Sequence, residues 1–127
     1  FYDGSAIFRT DPAIDILQGG GPTTQSPSDP GPGYTIPDEG KGYTYEAGDL
    51  VMARTSQPNS GGAEYFFGTG PAVSGLNGQG TYVKFGHATQ GLDVLTKIMA
   101  LHVSDGGQLG GGPKEPVIVN HITVTEH

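Results

Sequence analysis

The chain has 127 residues, with 23 Gly, 10 Pro, no Cys and a formal net charge of −7. That length suits a single domain over residues 1–127. Six Lys and Arg in all are too few to neutralise a nucleic-acid backbone or to dock on an anionic membrane surface, and a chain without Cys has no disulfide or thiol chemistry. Gly and Pro make up about a quarter of the residues, near the range where disorder has to be weighed. The apolar runs are nevertheless well separated by turn signals, which favours a folded, turn-rich β domain.

In chain order, "AIFRT" (6–10) and "IDILQ" (14–18) read as short strands broken at Asp11-Pro12. Residues 19–33 are Gly, Pro, Ser and Thr punctuation, a loop of the length that compact domains reserve for function or mobility. "YTIPDEGKG" continues extended and then turns. "DLVMART" (49–55) is a strand with an apolar centre, and 56–62 a loop. "AEYFFGT" (63–69) is aromatic and strand-like. "TYVKFGH" (81–87) alternates, with Tyr82 and Lys84 on one face and Val83 and Phe85 on the other. "GLDVLTKIMALH" (91–102) is the one clear helix: Leu92, Leu95, Ile98 and Met99 share a stripe and Asp93 suits the first turn. Residues 106–112 read as a flexible loop. "PVIVNHITVT" (116–125) reads as a closing strand rich in β-branched residues. Short strands, glycine turns and one helix imply a mainly β fold, a barrel or sandwich with a helical cap.

Few residues carry obvious chemistry. The four His sit at no metal-ligand spacing, so neither a metal nor another cofactor is expected. "GGGP" at Gly19 to Pro22 lacks the Lys-Ser/Thr end of a phosphate loop and opens no helix. Asp38 and Glu39 are adjacent on an extended chain and point to opposite faces, which suits a solvated turn better than a paired acid/base site. Arg9, by composition alone, is a surface cation.

The landmarks taken together change that. "FYDG…FRTDPAIDILQGG", "GPGYTIPDE", "LVMARTSQPNSGGAEYFF" and "YVKFG…GLDVLTKI" occur in the order, and nearly the spacing, of the cyclophilins, and the chain resembles that family of peptidyl-prolyl cis–trans isomerases, its bacterial branch in particular. The resemblance implies an antiparallel β-barrel, eight-stranded in the family, with helical caps. It begins after the family's opening strands and first helix, so an N-terminally incomplete barrel is expected, monomeric unless another chain completes it. It implies catalytic roles for Arg9 and Gln18, and a substrate groove built from Met52, Ala53, Asn59, Phe66, Leu76 and Tyr82. Ile14 and Ile16 are expected to form pocket wall where the family has Phe-Met, and Ala63 and Glu64 stand where it often has Ser-Gln. A carboxylate in place of that amide keeps acceptors and loses donors. The tryptophan that many members use for cyclosporin is absent, with Gly75 nearest, which implies weakened cyclosporin binding.

The function implied is isomerisation of Xaa-Pro bonds in peptides and in unfolded or flexible protein segments, in support of folding. The alternatives are a catalytically weak module that binds proline-containing segments and a structural subunit of a larger assembly. The compartment, cytoplasmic or exported, stays open.

Overall fold

The computed structural model describes residues 1–21, 30–107 and 109–126. Pro22 and Pro27, in the loop expected over 19–33, and His127 lie outside the described residues. Five strands, β1 (Ile7–Asp11), β2 (Ile16–Gly19), β3 (Asp49–Met52), β4 (Tyr65–Gly68) and β5 (Lys84–His87), form one antiparallel sheet in the order β1-β2-β4-β3-β5. A helix, α1 (Leu92–Met99), follows, and then a hairpin of β6 (His102–Ser104) with β7 (Gly111–Pro113). A 3₁₀ stretch spans Pro71–Gly78. No helix among the described residues is long and apolar enough to cross a membrane.

The period-2 alternation of strands sorts the core into two layers. Ile16, Val51 and Phe66 form one cluster with Tyr45 and Val73, while Ile7, Leu17, Tyr65 and Leu95 form the other. Leu17 and Val51 are fully buried, and each is worth about 1.5–3 kcal/mol of burial. The second layer lies under α1, which contributes Leu95, Ile98 and Met99. The first layer floors a cavity.

Several boundaries differ from the sequence-based expectation. Ile14 and Asp15 belong to a turn, not to the second strand, because Asp15 sits at φ +52°. The helix stops at Met99, and His102 opens β6. Leu92, expected on the buried stripe, is exposed. The loop expected over 106–112 instead supplies β7, whose glycines fit close against backbone: a Cβ on Gly111 would lie 2.1 Å from the Val103 carbonyl oxygen. Residues 116–125 do not form a continuous strand. They run beside the free edge of β1 through one bridge, Ala6 with Ile118, and bonds such as Ile7 N–H to the Val117 carbonyl. Among the described residues the strands form an open sheet and a hairpin rather than a closed ring.

Lys84 on β5 has a defined place. Its Nζ donates to the Thr44 carbonyl and lies 3.2 Å from Asp49, which is almost fully buried and also accepts from His87 Nδ1 at 2.8 Å. Burial pushes the Asp49 pKa up. The hydrogen bonds from His87, the Glu46 N–H and Lys84 outweigh it, and the net shift is downward.

Candidate functional site

Strand register puts the key side chains in one row. Arg9 on β1 is opposite Gln18 on β2, Gln18 is opposite Phe66 on β4, and Phe66 is opposite Val51 on β3. Directly opposed residues share a face of the sheet, so the guanidinium, the amide and the phenyl ring line up across three strands. A bulge between Ile7 and Arg9 sets this register.

Arg9 is held at each of its three nitrogens. Nε donates to the Leu109 carbonyl at 2.7 Å, Nη1 to Gln18 Oε1 at 2.9 Å and Nη2 to Asp11 Oδ2 at 3.0 Å. Its side chain is 13% exposed. A guanidinium carries five N–H donors. Three are engaged among the described residues, which leaves one on each Nη, fixed in direction by its partner on the same nitrogen. Asp11 is buried, and its other oxygen accepts the Ala13 N–H, which turns the chain toward Pro12 and locks the carboxylate. Gln18 passes its own amide N–H toward Glu64 at 3.4 Å.

These groups open on a cavity of about 580 Å³, within the size range of small-molecule sites. Ten of the sequence-predicted residues line it: Arg9, Gln18, Ile14, Ile16, Ala53, Ala63, Glu64, Phe66, Leu76 and Tyr82. Phe66 is buried at the floor, with Tyr82 edge-on to it at 5.6 Å between ring centres. Beneath them Tyr45 donates to the Tyr82 carbonyl, and burial pushes its hydroxyl pKa up to about 12, so it stays a neutral donor. Leu76 arrives on the 3₁₀ stretch. Asp15 places that stretch, its Oδ2 accepting the Ala72 N–H at 2.9 Å while its carbonyl accepts the Thr69 N–H. Asp15 thus ties the β1–β2 hairpin to the cavity wall.

Met52 and Asn59 lie elsewhere. Alternation turns Val51 and Ala53 to the cavity face and Met52 away, where it lines a second cavity of about 200 Å³ with Ile36, Val83 and Phe85. Asn59 ties two loops: its N–H donates to Asp38 Oδ2 and its Oδ1 accepts the Asp38 N–H.

Sequence reasoning missed Asp11, Leu109 and Arg54. Asp11 carried a signal, since residues 9 and 11 of one strand share a face. Leu109 carried none, being 100 residues from its partner. Arg54 lines both cavities. One group of three candidate metal ligands, Glu46, Asp49 and His87, occurs among the described residues, outside the main cavity and with Asp49 already engaged by His87 and Lys84.

Comparison with known proteins matches residues 1–124 to the model of the cyclophilin type peptidyl-prolyl cis-trans isomerase/CLD family. A peptidyl-prolyl cis-trans isomerase of Acinetobacter baylyi is 30% identical over 127 residues, covering 98% of this chain and 66% of its own. Peptidyl-prolyl cis-trans isomerase B of Bacillus subtilis is 40% identical over 95 residues, covering 73% of this chain and 62% of its own. The chain thus spans about two thirds of the length of these curated relatives. The crystal structure of a Cryptosporidium parvum cyclophilin-type isomerase, obtained in the presence of the dipeptide Ala-Pro, superposes with a TM-score of 0.79 at 26% identity. It covers all of this chain and 78% of the other.

Proposed function

Because the chain belongs to the cyclophilin-type peptidyl-prolyl cis–trans isomerases, we propose that it accelerates rotation about Xaa-Pro bonds, with Arg9 as the working donor and the Phe66-floored cavity as the proline slot. A prolyl amide resists rotation by roughly 20 kcal/mol because C–N resonance has to be broken. Catalysis requires only that the site hold the twisted amide more tightly than either planar form. In the twisted state the proline nitrogen becomes pyramidal and gains a lone pair. One of the two unengaged Arg9 N–H groups donates to that nitrogen, or holds the neighbouring carbonyl, with no change in its own protonation. A lysine would supply charge without the planar, fixed fork.

The other residues position and exclude. Gln18 and Asp11 hold the Nη atoms, and the Leu109 carbonyl holds Nε. Phe66, Ile16, Leu76 and Tyr82 surround the ring and keep water from it. Glu64, beside Gln18, is an acceptor for a backbone N–H of the bound segment. The proposed partners are proline-containing peptides and flexible protein segments. The Ala-Pro dipeptide with which the C. parvum relative was crystallised supports that chemistry.

The observation that carries this reading is the anchoring of Arg9 on three acceptors at the edge of an apolar cavity. The test is NMR exchange on a short Xaa-Pro peptide at saturating protein. Faster cis–trans exchange is expected, and saturable binding without faster exchange would choose a binding module instead.

A further inference from the structure

The second arginine of the cavity is built differently. Arg54 lies just past β3, and its side chain is only 10% exposed. Its Nη1 donates to Asp38 Oδ2 at 2.7 Å and to the Gln57 carbonyl at 3.1 Å. Its Nε is buried and has no partner among the described residues, and among the same residues Nη2 makes no hydrogen bond. The unengaged edge of this guanidinium is therefore the Nε–Nη2 edge, whose two parallel N–H bonds match the two oxygens of a carboxylate. A single carbonyl oxygen can bridge both only with bent, weaker bonds. A buried donor without an acceptor is costly, so an occupant that supplies two acceptors gains more here than at a solvated arginine.

The surroundings fit a site that closes on its ligand. Asp38 fixes Nη1, and the same carboxylate accepts the Asn59 N–H, so the fork is held between the loop of residues 34–39 and the loop of residues 55–60. The second loop is largely exposed, and Asn59 adopts φ +56°. Bidentate binding that reaches Nε requires this exposed loop to shift. Arg54 and Arg9 line the same cavity, which is roomier than one prolyl ring needs.

Resting on the isomerase reading, we propose that Arg54 is a specificity residue that favours segments carrying a carboxylate a few residues from the Xaa-Pro pair. Asp38 is its positioning partner. The shared chemistry, a carboxylate, comes either from a Glu or Asp side chain or from a chain terminus.

The test uses peptides of one Xaa-Pro sequence, acetylated and amidated. Glu or Gln stands in turn at each of the three positions on either side of the pair, and one uncapped peptide has a free C-terminus. Binding is titrated by NMR at low salt. Wild type is expected to bind a carboxylate peptide about fivefold more tightly than its neutral counterpart, with the advantage shrinking as salt rises. The capped and uncapped peptides tell the side chain from the terminus. R54Q is expected to bring the ratio to one, and R54K, a charge without the fork, to keep a reduced preference. Equal binding of all peptides by wild type overturns the proposal, and so does an unchanged ratio in R54Q with a native spectrum. Exchange rates in the same samples report the isomerase reading separately: absence of exchange defeats that reading, while the binding ratio still decides for or against Arg54.

Discussion

Two corners of the same sheet each bury a carboxylate against cations, and they use the pairing in opposite senses. At the β1–β2 corner Asp11 and Gln18 surround a cation, and the cation keeps donors free toward a cavity. At the β3–β5 corner Lys84 and His87 surround a carboxylate, and both Asp49 oxygens are engaged within the fold: Oδ1 takes His87, and Oδ2 takes Lys84 and the Glu46 N–H. The first arrangement leaves unspent hydrogen-bonding capacity where a substrate can collect it. The second spends its capacity holding β5 on the sheet. The difference separates rate from stability, and substitutions at the two corners should separate them too.

The largest effect is expected at Arg9. Arg9→Ala should lower isomerisation about a hundredfold or more, the scale on which a single preorganised donor matters. The variant should also lose some stability, because buried Asp11 is left without its cation, so the rate is read per folded molecule. At the other corner Asp49→Ala should cost about 3 kcal/mol, the low end for a broken buried pair because Lys84 and His87 keep contact with water. Urea unfolding checks that figure, and the exchange rate per folded molecule should stay near wild type. An Asp49 variant that lost activity while keeping its stability would collapse the distinction.

The Asp49 corner also has a pH signature. Its folded pKa lies below the ordinary carboxylate value. The stability it contributes is therefore fully present above the unfolded pKa, about 3.9, and is lost as pH falls through the lower folded value. Wild type should lose stability on acidification below about pH 4, and Asp49→Asn should show a shallower acid slope. Activity should be nearly flat between about pH 6 and 9, because neither a guanidinium nor an amide titrates there. A steep activity step in that window would implicate a group outside the Arg9 corner.

A smaller effect is expected at Asp11. Asp11→Asn keeps an acceptor for Arg9 Nη2 and removes the charge, so kcat should fall about tenfold while KM hardly moves. Equal loss in both would mean that Asp11 supports the groove as a whole rather than the direction of the guanidinium.

How much of this was legible in the sequence differs between the corners. At the first, the spacing and company of Arg9, Gln18 and Phe66 were visible, and the register places them in one row. Asp11 could have been found from strand parity. Leu109 could not, because its contact depends on how the 106–112 glycines fold back. At the second, Lys84 was visible as a cation within an alternating strand, but its partner was not. An Asp at the start of a strand reads as a turn residue until β3 and β5 pair and bury it. Strand ends were the least legible feature. Asp15 looked like strand and is a left-handed turn residue that carries the 3₁₀ stretch; Gly111 and Gly112 looked like loop and are strand, because close backbone approach rather than side-chain pattern puts them there. Met52 was placed on the groove by resemblance, whereas alternation from Val51 turns it to the neighbouring cavity.

The central claim is that Arg9 acts on the rotating bond and not merely on binding. Two-dimensional NMR exchange on one Xaa-Pro peptide, saturating wild type and then Arg9→Ala, tests it most directly. The account predicts exchange cross-peaks well above the uncatalysed rate with wild type, and peptide that still binds Arg9→Ala but exchanges near the uncatalysed rate. Wild-type exchange from a folded, peptide-saturated Arg9→Ala protein would contradict it.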